Sequence, residues 1–192
     1  MERYKYRDYR QYVIDQRRGY QKKRTRVWMK PECIEMICAG LKLELPENPA
    51  IICHGARTGA EVLEFRKVFP NVAGTDIGGA ISDLVVRWDF NIKNPQWIGR
   101  FDLVYSNALD HSWDPGKTLD VWKGQLKAGG ILVVEWAPGH THNGSSSKKA
   151  NRTDPVGMTV KELRRLLISR FGVVQVVKLS RKHVVVVGVS GG

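Results

Sequence analysis

An acid and an imidazole stand side by side in the segment Ser106-Asn107-Ala108-Leu109-Asp110-His111-Ser112-Trp113. Imidazole titrates near neutral pH, so His111 suits a general base and Asp110 the group that orients it. The bland alternative is that Asp110 caps a turn while His111 and Trp113 close over a ligand. A second group follows at Glu135, Trp136, His140 and His142. With Asp110 or His111 the two histidines would make a generic ligand set, and no metal is expected. A third segment, Ile51-Ile52-Cys53-His54-Gly55-Ala56-Arg57-Thr58-Gly59-Ala60-Glu61, combines a thiol, an imidazole and a guanidinium with two glycines. Adjacent strand residues point to opposite faces, which argues against Cys53 and His54 sharing a metal. Cys53 reads as a small residue beneath the loop, not as a nucleophile. A P-loop would end in Gly-Lys-Ser/Thr, and this loop has no lysine. A dinucleotide loop stays open on spacing.

These groups must be held by alternating elements. Apolar runs at 50–55, 71–76, within 81–90, 101–108, 128–137, 173–179 and 183–190 read as strands. Between them, 58–69, 115–126 and 159–171 read as helices, with Asp114 and Thr159 as caps and Glu162 completing a capping box. Earlier helices are expected up to Gly19 and from Pro31 to about 44, with a basic linker between them. Only Leu179-Ser180-Arg181-Lys182 separates the last two strands, so they form an antiparallel hairpin. The pattern predicts an α/β fold with a mostly parallel seven-stranded sheet and helices on both faces. Gly55 and Gly59 lie in the first strand-to-helix turn, which marks the ligand edge of such a sheet. Asp76 ends the next strand, where a carboxylate can accept from ribose hydroxyls.

The charge narrows the partners. The chain has 192 residues and a formal net charge of +12. Residues 1–30 hold 11 Lys/Arg against 3 acids, together with Tyr4, Tyr6, Tyr9, Tyr12 and Tyr20. A basic arm over 1–30 and a domain over 31–192 are expected. Arginine neutralises phosphate and tyrosine stacks on bases, so one reading is an RNA-binding arm. The other is a solvated helix whose tyrosines pack on the domain. The loop at 143–152, with Lys148, Lys149 and Arg152, adds to the first reading. No apolar run approaches the ~18 residues of a membrane span. Three cysteines make no disulfide framework, and an intracellular, cytoplasmic setting is expected.

Five segments in order resemble the class I S-adenosylmethionine-dependent methyltransferases of Rossmann-like type. They are IICHGARTGAE, VAGTDIG, VVRWDF, FDLVYSNALDHSWDP and LKAGGILVVEW, and the terminal hairpin fits the same family. The resemblance covers roughly residues 48–190. It implies S-adenosyl-L-methionine as cofactor, held by Cys53, His54, Gly55, Ala56, Arg57 and Gly59 of the first motif. Asp76 and Ile77 would serve the ribose, Asp89 and Phe90 the adenine, and Ser106 and Asn107 the fourth strand's end. Asp110 and His111 would be catalytic. Two departures stand out: Cys53 replaces the usual acid and Arg57 the usual middle glycine. Arg57 would pair with the cofactor carboxylate or with Asp76, or else project into solvent. Neither the Asn/Asp-Pro-Pro-Tyr motif of amino methylators nor a Lys-Asp-Lys-Glu tetrad is found. The acceptor is expected to be RNA or an RNA-associated substrate. A small-molecule or protein methyltransferase, and a silent Rossmann-like binding module, are the alternatives.

Overall fold

The structure is a computed structural model that describes residues 1–41, 44–79, 83–137, 150–180 and 183–191. The chain opens with β1 (Glu2–Arg3), α1 (Tyr9–Lys23) and α2 (Pro31–Leu41). Then come β2 (Ile51–His54), α3 (Ala60–Arg66), β3 (Val72–Asp76), β4 (Val85–Arg87) and β5 (Phe101–Ser106). The remainder is α4 (Pro115–Gln125), β6 (Leu126–Trp136), β7 (Val156–Gly157), α5 (Val160–Ile168), β8 (Val173–Lys178) and β9 (Val184–Val189).

Seven strands form one sheet in the order β4-β3-β2-β5-β6-β9-β8. The first five are parallel, and β9 and β8 run antiparallel, as the short connection between them requires. Side chains alternate across each strand and divide the core in two. Ile51, Leu103 and Val133 pack with Ile34 and Ile37 of α2 and Phe65 of α3. Ile52, Val104 and Leu132 pack on the other face with Leu119 and Trp122 of α4 and Leu163 and Leu167 of α5. Each such side chain contributes about 1.5–3 kcal/mol on full burial.

The expected caps form. The Asp114 carboxylate accepts from the backbone N–H groups of Gly116 and Lys117. Thr159 and Glu162 close a reciprocal capping box at the start of α5. His140, His142, Lys148 and Lys149 lie outside the described residues. Among the described residues no helix is long and apolar enough to cross a membrane.

The N-terminal expectation changes in one respect: α1 does not stop at Gly19 but continues to Lys23. A mid-helix glycine costs about 1 kcal/mol relative to alanine. Here it permits close packing, because a Cβ on Gly19 would lie 3.1 Å from Thr153 Cγ2. The turn beyond it carries Tyr20, which is buried. The buried face of α1 repeats at Tyr12, Asp15, Gln16, Gly19 and Tyr20, a helical stripe laid against the domain. The tyrosines therefore pack inward. Tyr6, Tyr9 and Tyr12 surround the Trp113 ring at centroid separations of 5.3–5.7 Å. The Tyr6 hydroxyl donates to the Arg152 carbonyl, and β1 pairs with β7.

Candidate functional site

The chain lays β2, β3 and β4 to one side, then returns to place β5 and β6 on the other. The topological switch therefore lies between β2 and β5, where open α/β sheets bind ligands beyond their strand ends. The loop after β2 is shaped by backbone demands. Gly55 has φ 77°, and a Cβ there would fall 2.5 Å from the Ala108 Cβ in the loop after β5. Arg57 holds φ 24°, a sparsely populated value for a residue with a side chain.

Asp76, buried at the end of β3, faces this loop. Its Oδ2 accepts the Arg57 N–H at 3.2 Å and its Oδ1 the Gly78 N–H at 2.8 Å. Burial raises its pKa above the ordinary carboxylate range, partly opposed by the Gly78 N–H and the Arg57 charge. Asp89 is engaged as well. It accepts from the Tyr9 hydroxyl at 2.8 Å and from the Asn91 side-chain amide at 2.7 Å.

Two cavities meet at this edge. The smaller, about 50 Å³, is lined by Asp76, Ile77, Asp89 and Phe90 and roofed by Tyr12 and Tyr20 of α1. The Tyr20 hydroxyl donates to the Gly79 carbonyl, and the Tyr12 hydroxyl to that of His111. The larger, about 340 Å³, opens between the segment after α1 and the ends of β2, β5 and β6. Its wall carries Glu61, Asn107, Asp110, Glu135 and His183, with Lys23, Arg26 and Lys30 near its mouth. Gly55, Arg57, Ala108 and His111 line both.

At the junction the His111 ring is held by one hydrogen bond and faces two carboxylates. Its Nδ1–H donates to the Thr153 carbonyl. Its Nε2 lies 4.0 Å from Asp110 Oδ1 and 3.7 Å from Asp154 Oδ1. An Nδ1 committed as donor leaves the Nε2 lone pair as the ring's acceptor, turned toward the two carboxylates.

The expected site residues fall into two sets. Gly55, Arg57, Asp76, Ile77, Asp89, Phe90, Asn107, Asp110 and His111 line the cavities. Cys53, His54, Ala56, Gly59 and Ser106 do not. Cys53 and Ala56 are buried in the core under α2 and α3. His54 points to the opposite core, bonded to Thr75 Oγ1 and Gln125 Oε1 at 2.8 Å each and stacked on Trp122. Burial lowers its pKa to about 4, so the ring is neutral. Ser106 Oγ bonds the His54 carbonyl and the Ala108 N–H, which shapes the loop after β5. Gly59, with φ 79°, packs against Leu84 and Val85.

Two further features come from the structure. Glu61, in the first turn of α3, is buried on the cavity wall and accepts from Asn107 Nδ2 at 3.1 Å. His183 Nδ1 and Glu135 Oε1 lie 2.8 Å apart, and the Tyr105 hydroxyl donates to Glu135 Oε2 at 2.8 Å. Cys33 completes a group with Glu135 and His183, and Asp110, His111 and Asp154 form another. In each, one potential ligand atom per residue lies within 4.8 Å of the others.

No family model matches the chain, and no curated protein matches it. Solved structures do, over nearly its full length. The 1,6-didemethyltoxoflavin-N1-methyltransferase of Burkholderia thailandensis, solved with 1,6-didemethyltoxoflavin and S-adenosylhomocysteine, superposes with a TM-score of 0.74. The match spans 98% of this chain and 93% of that one at 17% identity. The sugar N-methyltransferase KedS8 from Streptoalloteichus gives 0.68 over 91% and 92% at 13% identity. The cyclase SpnF gives 0.64 over 84% and 80% at 11% identity. The chain thus has the fold of the class I S-adenosylmethionine-dependent methyltransferases, a fold that also carries a cyclase.

Proposed function

We propose that the chain binds S-adenosylmethionine across the two cavities and transfers its methyl group to an acceptor in the larger one. The observation that carries this reading is Asp76 set against the Gly55 loop at the switch point of the sheet. The bound cofactor supplies a methyl group on a sulfonium, open to in-line displacement. Asp76 would accept from the ribose hydroxyls, and Phe90 and Ile77 would flank the adenine. Glu61 and Arg57 would hold the ammonium and carboxylate of the amino-acid end. Glu61 thereby takes the place of the acid missing at Cys53. Arg57 fits its part physically, since its buried Nε has no hydrogen-bond partner among the described residues. A carboxylate at the junction would provide one.

The small cavity is far below the ~300 Å³ at which ligand pockets usually begin. Binding adenosine there requires Tyr12 and Tyr20 to move outward with α1, and adenine must displace the Tyr9 hydroxyl to reach Asp89. Where the acceptor carries a proton, His111 takes it at Nε2, with Asp110 and Asp154 stabilising the charge.

RNA, or a substrate bound to RNA, is the proposed acceptor. The cations at the mouth of the large cavity and the exposed arginines of α1 support it. A small molecule is the second reading, favoured by a cavity of about 340 Å³. Calorimetry with S-adenosylhomocysteine tests the cofactor. Saturable binding that falls roughly 100-fold or more in Asp76→Ala is expected, as a charged hydrogen-bond acceptor is removed. No binding at millimolar ligand would leave the silent binding module. Transfer of labelled methyl to total RNA or to small-molecule extract then separates the two acceptors.

A further inference from the structure

With the tyrosines turned inward, the outer side of α1 and the segment after it become a separate feature. Arg10, Arg17 and Arg24 recur every seven residues, so they lie in a row along the helix, roughly 10 Å apart. All three are exposed, and none makes an ion pair among the described residues. The row leads to Arg26 and Lys30, which line the open cavity and are likewise exposed and unpaired. Between them stands Trp28. It lines the same cavity and still leaves 59% of its surface in water. An indole with more than half its surface in water belongs to neither core cluster, so core packing does not explain its place.

Five unpaired cations ending on an exposed aromatic face is the combination that binds single strands: charge for the backbone and a flat ring for the base. We infer that this track binds single-stranded RNA, with an unpaired base stacked on Trp28 at the mouth of the large cavity. An acidic protein surface would use the cations but would gain little from the bare indole. A duplex would bury its bases away from the indole. The inference names the partner of the acceptor site proposed above. The binding itself is measured without cofactor, so failure of the cofactor reading leaves it standing.

The experiment is fluorescence titration of the full chain with oligo(U), duplex RNA of equal length and heparin, a polyanion without bases. Expected are tighter binding of oligo(U) than of the duplex, and a loss of about 5- to 150-fold in Trp28→Ala, the range for one stacked base. Trp28→Phe should restore most of it, and heparin should bind Trp28→Ala as it binds the native chain. Replacing Arg10, Arg17 and Arg24 together by Gln should lower the salt slope by about 2, three contacts at ~0.7 each. Oligo(dU) in place of oligo(U) reads the 2′-hydroxyl: equal binding would overturn the RNA assignment. Unchanged oligo(U) affinity in Trp28→Ala, with its thermal melt unaltered, would overturn the stacking. So would equal losses for oligo(U) and heparin.

Discussion

The two cavities share a wall and differ in nearly everything else. The small one is covered by α1, with Tyr12 only 1% exposed and both carboxylates already hydrogen-bonded. The large one is open, and its charged groups belong to segments that return from distant parts of the chain. The difference assigns energy and selection to separate places. Closure over the small cavity adds packing free energy to the fold. Access to the large one leaves cations and an indole in water, where they cost little and remain available. A fold that hosts many chemistries differs among its members mainly in the second kind of region.

The strongest way to break this comparison is to open the small cavity. Tyr12→Ala should destabilise the chain by about 3–5 kcal/mol in urea denaturation, the range for deleting a buried aromatic. Tyr12→Phe, which loses only the bonds to His111 and Asn91, should cost about 1 kcal/mol. If both leave stability unchanged, α1 is not a structural roof.

Arg57→Ala divides the cavities by ligand. S-adenosylhomocysteine affinity should fall roughly 10- to 100-fold, the loss of one charge-assisted contact. Adenosine, which lacks the amino-acid end, should lose far less affinity at a pH above the raised Asp76 pKa, where that carboxylate stays ionised without the Arg57 charge. A parallel loss for adenosine would place Arg57 on the wrong half.

A pH series sharpens the role of Asp76. Its folded pKa is raised by burial, so the native chain holds this proton to higher pH than the unfolded chain does. Stability therefore falls as pH rises through the raised pKa, while cofactor affinity, which needs the ionised form, rises across the same window. Asp76→Asn should remove both dependences, and because its amide nitrogen cannot accept, it also gives up one of the two backbone N–H bonds. The smallest effect is expected far from either cavity. Val173→Thr on β8, 51% exposed, should change stability by less than about 0.5 kcal/mol and bind ligand normally.

The parallel sheet, the terminal hairpin, the caps at Asp114 and Thr159, and the positions of Gly55 after β2 and of Asp76 at the end of β3 were legible because each shows in the local pattern of residues. The side-chain directions at the loop were less so. The resemblance assigns His54 to the cofactor, yet alternation along β2 sends it to the far core, as the argument against a Cys53–His54 metal pair already implied. The place of Tyr12 was not legible, since its partners His111 and Asn91 lie 99 and 79 residues away. His183 gave no signal at all. Only the antiparallel register of β9 on β6, with Val184 opposite Trp136, brings it to Glu135. Gly19 reads as a helix stop from sequence because the residue that uses its bare Cα, Thr153, is distant.

The pairing of Glu2 with Gly157 has a consequence for synthesis. β1 has no strand to pair with, and Tyr6 and Gln16 lack their carbonyl partner at Arg152, until residues 152–157 have been made. At about 5–20 residues per second, roughly 7 to 27 s separate the completion of α1 from that of residue 157, and over that interval the N-terminal segment is only partly docked. All five parallel strands have been made by then, and β1 closes its pair only afterwards.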